Sequence, residues 1–129
     1  MIRPLGLFSA CFLLIGLVAC QGGSRAKEFE GRVVLGFEVA SFVPCEEDSE
    51  AGYGTGYWVM TADGVDIYSR YQELVDESGH DPATGYLPVY VRMEGELSPP
   101  GDYGHLGGYR HEILVTRLLE MSLDDQCRK

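Results

Sequence analysis

The segment PVYVRMEGEL, residues 88–97, constrains the fold most strongly because its apolar and polar residues alternate. Four apolar residues point to one side of an extended chain, and Tyr90, Arg92, Glu94 and Glu96 point to the other; the four are Val89, Val91, Met93 and Leu97. This period of two is typical of a β-strand with one face in the core and one face in solvent. Gly95 interrupts the apolar row, and a glycine inside a strand often marks the sharp coil or bulge that a small barrel needs to close.

Three further segments have the character of strands. In residues 31–43, GRVVLGFEVASFV, every second residue is apolar up to a slip near Ser41, after which Phe42 turns inward, so we predict one long, bent strand. Residues 57–61 form a short aromatic strand after a glycine-rich approach, and residues 110–122 supply the last strand. The predicted inward residues of the long strand are Val33, Leu35, Phe37 and Val39.

The apolar period becomes helical between residues 66 and 79. Asp66 is a plausible N-cap and Gly79 a plausible stop, and the apolar residues at helical spacing are Ile67, Tyr71, Leu74 and Val75. Strands, one helix and then strands predict a mainly β fold, a small five-stranded Greek-key barrel with one short helix plugging one end. Closure of the barrel removes exposed sheet edges.

The N-terminus has the pattern of an export signal. Arg3 supplies a positive charge, and the apolar run that follows is too short for a convincing membrane span. We expect residues 1–19 to be a lipoprotein signal peptide, because LVAC at residues 17–20 resembles the bacterial lipobox, in which the cysteine, here Cys20, is lipidated after cleavage. An uncleaved anchor is the alternative, but the polar residues after Cys20 are unlike a stop-transfer flank.

Residues 20–29 are expected to form a flexible tether, and residues 30–129 one domain. The lipoprotein sorting rule implies the periplasmic face of the outer membrane, because Gln21 rather than aspartate follows the lipidated cysteine. The chain has 20 Asp and Glu against 10 Lys and Arg, a formal net charge of -10. Nucleic acid and other polyanions should therefore be repelled, and the expected membrane contact is through the lipid anchor alone.

The cysteine count leaves one pair in the mature chain. Cys11 departs with the signal peptide and Cys20 carries the lipid, so Cys45 and Cys127 remain in an oxidising compartment. We expect them to form a disulfide. A redox or metal-binding pair is the alternative, but the CxxC spacing that lowers a thiol pKa is absent.

The loop at residues 98–112, SPPGDYGHLGGYRHE, is rich in glycine, proline and histidine. Pro99 and Pro100 cannot donate backbone hydrogen bonds, so an elaborate turn between two strands is the simplest interpretation. A Zn²⁺ or Cu²⁺ site is the alternative, although H-x5-H fits no standard spacing; its ligands would be His105 and His111 with Asp102 or Glu112. A partner-binding loop is the third interpretation.

Other patterns in the sequence give only weak indications of a metal, catalytic or nucleic-acid site. The acidic stretch CEEDSE, residues 45–50, lacks the spaced ligands of a calcium loop. No GxSxG or HExxH motif is present in the sequence, so no enzymatic activity and no cofactor are expected. A stacking platform for single-stranded nucleic acid is another interpretation, but the negative net charge opposes nucleic-acid binding. Its residues would be Tyr53, Tyr57, Trp58, Tyr86 and Tyr90.

Four stretches resemble the C-terminal OB domain of the NlpE family of envelope-stress lipoproteins. They are FEGRVVLGFEVASFVPC (29–45), YSRYQELV (68–75), PVYVRMEGEL (88–97) and DDQC (124–127). The resemblance implies an OB fold, an outer-membrane lipoprotein, a disulfide between Cys45 and Cys127, and a signalling or scaffolding role without enzymatic chemistry. Proteins of that family also carry an N-terminal barrel with a CxxC motif, which this sequence does not contain, so a copper role is left without its usual ligands.

Together these patterns predict a lipid-anchored, non-enzymatic interaction or stress-sensing module with an envelope protein as its partner. The alternative is a small-ligand or metal-binding lipoprotein that uses the Gly/His-rich loop 98–112.

Overall fold

The computed structural model describes residues 25–127, and over that range it forms a β-barrel with one α-helix. The predicted signal peptide, Cys20 and the first part of the tether lie outside the described residues. Lys27, Glu28 and Phe29, which the sequence assigned to the tether, are instead the first residues of β1 and pair with β4. Two short 3₁₀ turns, Pro82–Thr84 and His105–Gly107, lie in loops. The elements in chain order are β1 Lys27–Gly36, β2 Val39–Pro44, β3 Tyr57–Thr61, α1 Ile67–Ser78, β4 Val89–Leu97 and β5 Glu112–Ser122.

The strands close into a barrel in the order β1-β2-β3-β5-β4, and β4 pairs back onto β1. All neighbours are antiparallel except β3 and β5, which run parallel. This order, with α1 between β3 and β4, confirms the predicted five-stranded Greek-key barrel of the OB type. No helix within residues 25–127 has the length and apolar character needed to cross a membrane.

The prediction of one long strand across residues 31–43 is wrong. The chain reverses at Phe37 and Glu38, so β1 and β2 form a hairpin in which Leu35 pairs with Ala40. Phe37, which was expected to point inward, is 85% exposed. The turn lacks the Asn-Gly or Asp-Gly signal of a tight hairpin, and the apolar residues on both sides of it imitate one continuous strand.

The helix and its caps agree with the sequence. The Asp66 carboxylate accepts a hydrogen bond of 3.0 Å from the Ser69 backbone N–H, and Gly79 ends the helix in the left-handed region at φ 67°. Ile67, Tyr71 and Leu74 are buried among the inward side chains of the barrel. The other buried core residues are Val33, Leu35, Ala40, Phe42, Val59, Val89, Val91, Met93, Ile113, Val115 and Met121.

Gly95 lies at the predicted irregularity of β4. The register with β5 shifts between Glu94 and Gly95, and a Cβ atom at Gly95 would lie 2.7 Å from the Leu114 carbonyl oxygen. Only a residue without a side chain permits this close approach of the two strands. The glycine therefore lets β4 and β5 curve together as the barrel closes.

The disulfide between Cys45 and Cys127 is present as predicted. It joins the end of β2 to the segment after β5, with a sequence separation of 82 residues. Nearby, the Arg32 guanidinium binds the Asp125 carboxylate at 3.0 Å. These two links fix the C-terminal segment against the first hairpin.

Candidate interaction surface

Three loops and one linker place exposed side chains around the tip of the β1–β2 hairpin. We define the hairpin-tip surface as Phe37, Glu38, Tyr53, Tyr86, His105 and Leu106. Three contacts connect these residues: Glu38 Oε2 to His105 Nε2 at 3.7 Å, the Tyr53 and His105 ring centroids at 6.0 Å, and Tyr86 Oη to the Phe37 carbonyl oxygen at 3.5 Å. The surface is therefore assembled from distant parts of the sequence.

Phe37 and Leu106 are the most exposed large apolar residues of the described chain, at 85% each. Burial of such a side chain would release about 1.5–3 kcal/mol, so their exposure in the isolated domain is unfavourable. Both side chains are held outward by tight turns rather than by flexible termini. Two apolar knobs, the side chains of Phe37 and Leu106, therefore project into solvent.

The backbone is strained in the two turns that carry Phe37 and Leu106. Glu38 (φ 58°) and Leu106 (φ 54°) are the two non-glycine residues with positive φ among the described residues. The left-handed region costs a residue with a Cβ atom roughly 1–2 kcal/mol. The folded barrel must hold both turns firmly, and strain of this kind is concentrated at functional sites.

The β4–β5 loop that carries Leu106 is held on the outside of β3. Tyr103 and Tyr109 exchange two backbone hydrogen bonds of 2.8 and 3.1 Å, which close the loop on itself. The Trp58 ring packs against Tyr109 with centroids 5.2 Å apart. A Cβ atom at Gly104 would lie 2.4 Å from the same indole, so the loop backbone rests directly on the tryptophan. Leu106 is therefore presented on an ordered platform.

The loop that carries Tyr53 is fixed by a buried hydroxyl. Ser41 is fully buried, and its Oγ donates to the Thr55 carbonyl oxygen at 2.6 Å and accepts from the Gly52 N–H at 3.1 Å. Tyr109 Oη donates to the Gly52 carbonyl oxygen at 3.3 Å. The loops on both sides of the hairpin tip are thus connected to one another and to β2.

Glu38 provides the negative charge of the hairpin-tip surface. Its carboxylate and the His105 imidazole are both partly exposed, so their contact contributes little to stability in water. Protonation of His105 would convert the contact into an ion pair. No lysine or arginine belongs to the surface, and the whole chain is strongly acidic.

The two histidines of the alternative metal-site interpretation have different neighbours. His105 faces Glu38 and Tyr53, whereas His111 Nδ1 lies 3.2 Å from the Ser98 carbonyl oxygen and its ring packs against Tyr57. Between residues 25 and 127, no group of three or more His, Cys, Asp or Glu side chains is arranged to hold a metal ion. The loop 98–112 is the hydrogen-bonded turn that its prolines and glycines predicted.

The five aromatic residues considered as a stacking platform do not share one exposed face. Tyr57 contacts the core residue Phe42, whereas Trp58 is covered by the β4–β5 loop. Tyr90 is 3% exposed and donates a hydrogen bond of 2.7 Å to Glu30. Burial, followed by that hydrogen bond, raises the pKa of Tyr90 to about 12. Tyr53 and Tyr86 remain half exposed.

A cleft of about 910 Å³ lies beside the disulfide. Its walls come from the acidic stretch after Cys45, the segment before β4 and the segment after β5, and they include Tyr86 and Tyr90. The carboxylates on its lining are Glu47, Asp48, Glu50 and Asp125. The sequence did not predict this cleft, because its walls are distant along the chain and meet only where the barrel and disulfide join them.

No protein-family model, curated protein or solved structure matches the chain. The resemblance to the NlpE family therefore stays a prediction, and the case for a function rests on the geometry of the chain. One feature of the sequence does point to the hairpin-tip surface. Leu106 is the one apolar aliphatic residue in the glycine-rich stretch GDYGHLGGY, residues 101–109, so it has no aliphatic neighbour in the loop against which it could be buried.

Proposed function

We propose that this protein is a lipid-anchored, non-enzymatic module of the outer membrane that binds an envelope protein through the hairpin-tip surface. The observation that carries the proposal is that Phe37 and Leu106 are exposed on two turns that each contain a left-handed residue, Glu38 and Leu106. The two turns meet at the Glu38–His105 contact, and exposed apolar surface on adjoining loops commonly marks a site of protein interaction. The role proposed for such binding is envelope stress sensing or scaffolding.

The position of the surface within the fold supports a binding role. OB barrels commonly bind oligonucleotides and oligosaccharides with the β1–β2 and β4–β5 loops and the face of the second and third strands. Here those two loops carry Phe37 and Leu106, respectively. A formal net charge of -10 opposes nucleic acid, and the large aliphatic and aromatic side chains that the loops expose favour a protein partner.

The anchor and the compartment are supported by the cysteines. LVAC at residues 17–20 has the lipobox pattern, and a disulfide such as Cys45–Cys127 persists in oxidising compartments such as the periplasm. The polar residues after Cys20 would connect the lipid to β1, which begins at Lys27.

In-cell crosslinking of the full chain tests the proposal, with Cys20→Ser as the control that cannot be lipidated. We expect a discrete envelope protein to be attached to the anchored form, and Phe37→Ser to abolish the attachment while leaving the Cys45–Cys127 disulfide formed. Attachment unchanged by Phe37→Ser, or no attachment under any growth condition, would contradict the proposed surface. Recovery of the Cys20→Ser protein with the same membrane-bound fraction would contradict the anchor.

Small-ligand binding is a second candidate function, and the cleft beside the disulfide favours it over the loop 98–112. Its volume lies within the range of about 300–1,000 Å³ that small-molecule sites usually have. Arg32 also lines the cleft and pairs with Asp125, so the carboxylates left to suit an organic cation, together with the tyrosine rings, are Glu47, Asp48 and Glu50. Calorimetric titration with spermidine would support this function if the heat of binding disappears in Glu47→Gln and persists in Glu77→Gln, and an absence of heat would exclude the polyamine class.

A further inference from the structure

We infer that the hairpin-tip surface engages a protein on the side away from the lipid anchor, through an apolar recess flanked by a lysine or arginine of that partner. This inference rests on the proposed function and adds to it the direction and the chemistry of the partner. Three features of the chain carry it: the direction of β1, the shape of the apolar knobs and the charge of Glu38.

Strand β1 separates the tether from the hairpin tip. The tether enters β1 at Lys27, and the strand ends at Gly36 beside the turn. Nine residue steps of a strand span up to about 30 Å. If the Lys27 end of β1 faces the membrane, the hairpin tip at the other end of the strand lies well above the membrane surface.

The reach of the tether limits the opposite orientation. Seven residue steps separate Cys20 from Lys27, and a fully extended chain covers roughly 24 Å in that length. Since the strands of a closed barrel are tilted by about 35–45°, an inverted domain with its tip in the bilayer would place Lys27 roughly 21–25 Å above Cys20, which requires an almost fully extended tether. The bilayer that holds the anchor is therefore a poor occupant for the hairpin-tip surface.

The apolar part of the surface is convex. Phe37 and Leu106 both project from turns, and each is 85% exposed. The backbone of both turns is fixed before binding, by the β1–β2 pairing at Phe37 and by the packing of Gly104 on Trp58 near Leu106, so less backbone entropy is lost when a partner covers these side chains. A partner with complementary shape must offer a recess.

The negative charge of Glu38 predicts which residues lie at the edge of the partner's recess. The Glu38 carboxylate is about half exposed and faces His105 from a chain of formal net charge -10. A lysine or arginine beside the recess would pair with Glu38, and a carboxylate there would be repelled. Such a pair sets the orientation and the association rate of the complex more than its affinity.

A photo-crosslinking amino acid placed separately at positions 37, 106 and 97 of the anchored chain tests the inference. Leu97 is the matched control, because it is 40% exposed and lies two residues beyond Gly95, the partner of Lys27 at the anchor end of β1. We expect positions 37 and 106 to yield the same protein adduct, and position 97 not to yield it. Mass spectrometry of the adduct should place the crosslink in an apolar segment next to a lysine or arginine.

A charge-reversal substitution at Glu38 is the second part of the test. Glu38→Lys should reduce the adduct at position 106 at least tenfold, whereas Glu77→Lys, on the exposed side of α1, should leave the adduct unchanged. A restoring substitution of the mapped partner cation to glutamate should recover the adduct in Glu38→Lys. Thermal melting of both variants confirms that the barrel is folded.

The outcomes separate the inference from the proposed function. A protein adduct that is shared by positions 37 and 106 but is insensitive to Glu38→Lys would keep the proposed function and overturn the inferred charge. Phospholipid adducts, or adducts to a second copy of this chain, would overturn the inferred partner. The absence of any adduct at positions 37 and 106 would overturn the proposed surface itself.

Discussion

Glu38 and His105 approach each other to 3.7 Å across the gap between the β1–β2 turn and the β4–β5 loop. Each residue is next to an 85% exposed apolar side chain, Phe37 and Leu106 respectively. The contact therefore joins the two loops at the position where each presents an apolar group. A partner that binds one loop will meet the other.

Leu106→Gly should stabilise the isolated domain and weaken binding. Glycine adopts the φ of 54° at this position without the penalty that leucine bears, so we expect the free energy of unfolding to rise by roughly 0.5–1 kcal/mol. Urea denaturation measures the stability, and the crosslinked yield from position 37 measures binding. A variant that is less stable than the parent chain would show that the leucine side chain has a structural contact.

Gly104→Ala should displace the β4–β5 loop, because the new Cβ atom would lie 2.4 Å from the Trp58 ring. Overpacking of this kind costs about 1–3 kcal/mol, in addition to the strain at φ 70°. Gly64→Ala is the matched control, since Gly64 also has a positive φ but nothing lies within 4 Å of its added Cβ. Equal losses in thermal denaturation for the two variants would contradict the close approach of Gly104 to Trp58.

Removal of the disulfide should cost about 4.5 kcal/mol, because the crosslink closes a long loop in the unfolded chain. Cys45→Ser and Cys127→Ser should lose the same amount within error, and the double substitution should lose no more than either single change. Denaturation in urea with and without a reducing agent provides the measurement. Additive losses in the double variant would show that the two thiols act independently.

Alkaline pH should destabilise the barrel through Tyr90. Its folded pKa is about 12, raised from 10.0, so its deprotonation is harder in the folded chain than in the unfolded chain. Its contribution to stability is therefore fully present below pH 10 and is lost as the pH rises through 12. The melting temperature of Tyr90→Phe should fall less steeply between those values, and a curve parallel to that of the parent chain would contradict the assignment.

The parts of the fold that repeat along the sequence were predictable. The helical spacing from Ile67 to Val75 and the break at Gly95 each reflect a local pattern, and the structure confirms both. The alternation of β4 is confirmed for Val89, Val91 and Met93. It is wrong for Tyr90, which is buried, and for Leu97, which is 40% exposed at the end of the strand. The β1–β2 hairpin was not predicted because Phe37–Glu38 is not a standard turn sequence and Glu38 adopts a left-handed conformation that glutamate rarely adopts. Local patterns cannot show a reversal that the rest of the barrel imposes.

The candidate site depended on contacts between distant segments. The sequence singled out His105 and His111 for their chemistry, but the loop directs them to different neighbours. It assigned Phe37 to the core because the alternation continued through the turn. Exposure of a single apolar residue is decided by the path of the backbone, which the period of the neighbouring residues does not determine.

The parallel pairing of β3 with β5 has a consequence for the way the chain acquires its shape. Strand β5 also pairs with β4, so the last strand of the sequence supplies both of the seams that complete the barrel. Until residues 112–122 pair, the sheet formed by the other four strands has two unsatisfied edges, on β3 and on β4. We therefore expect the pairing of β5 to be the step that closes the barrel.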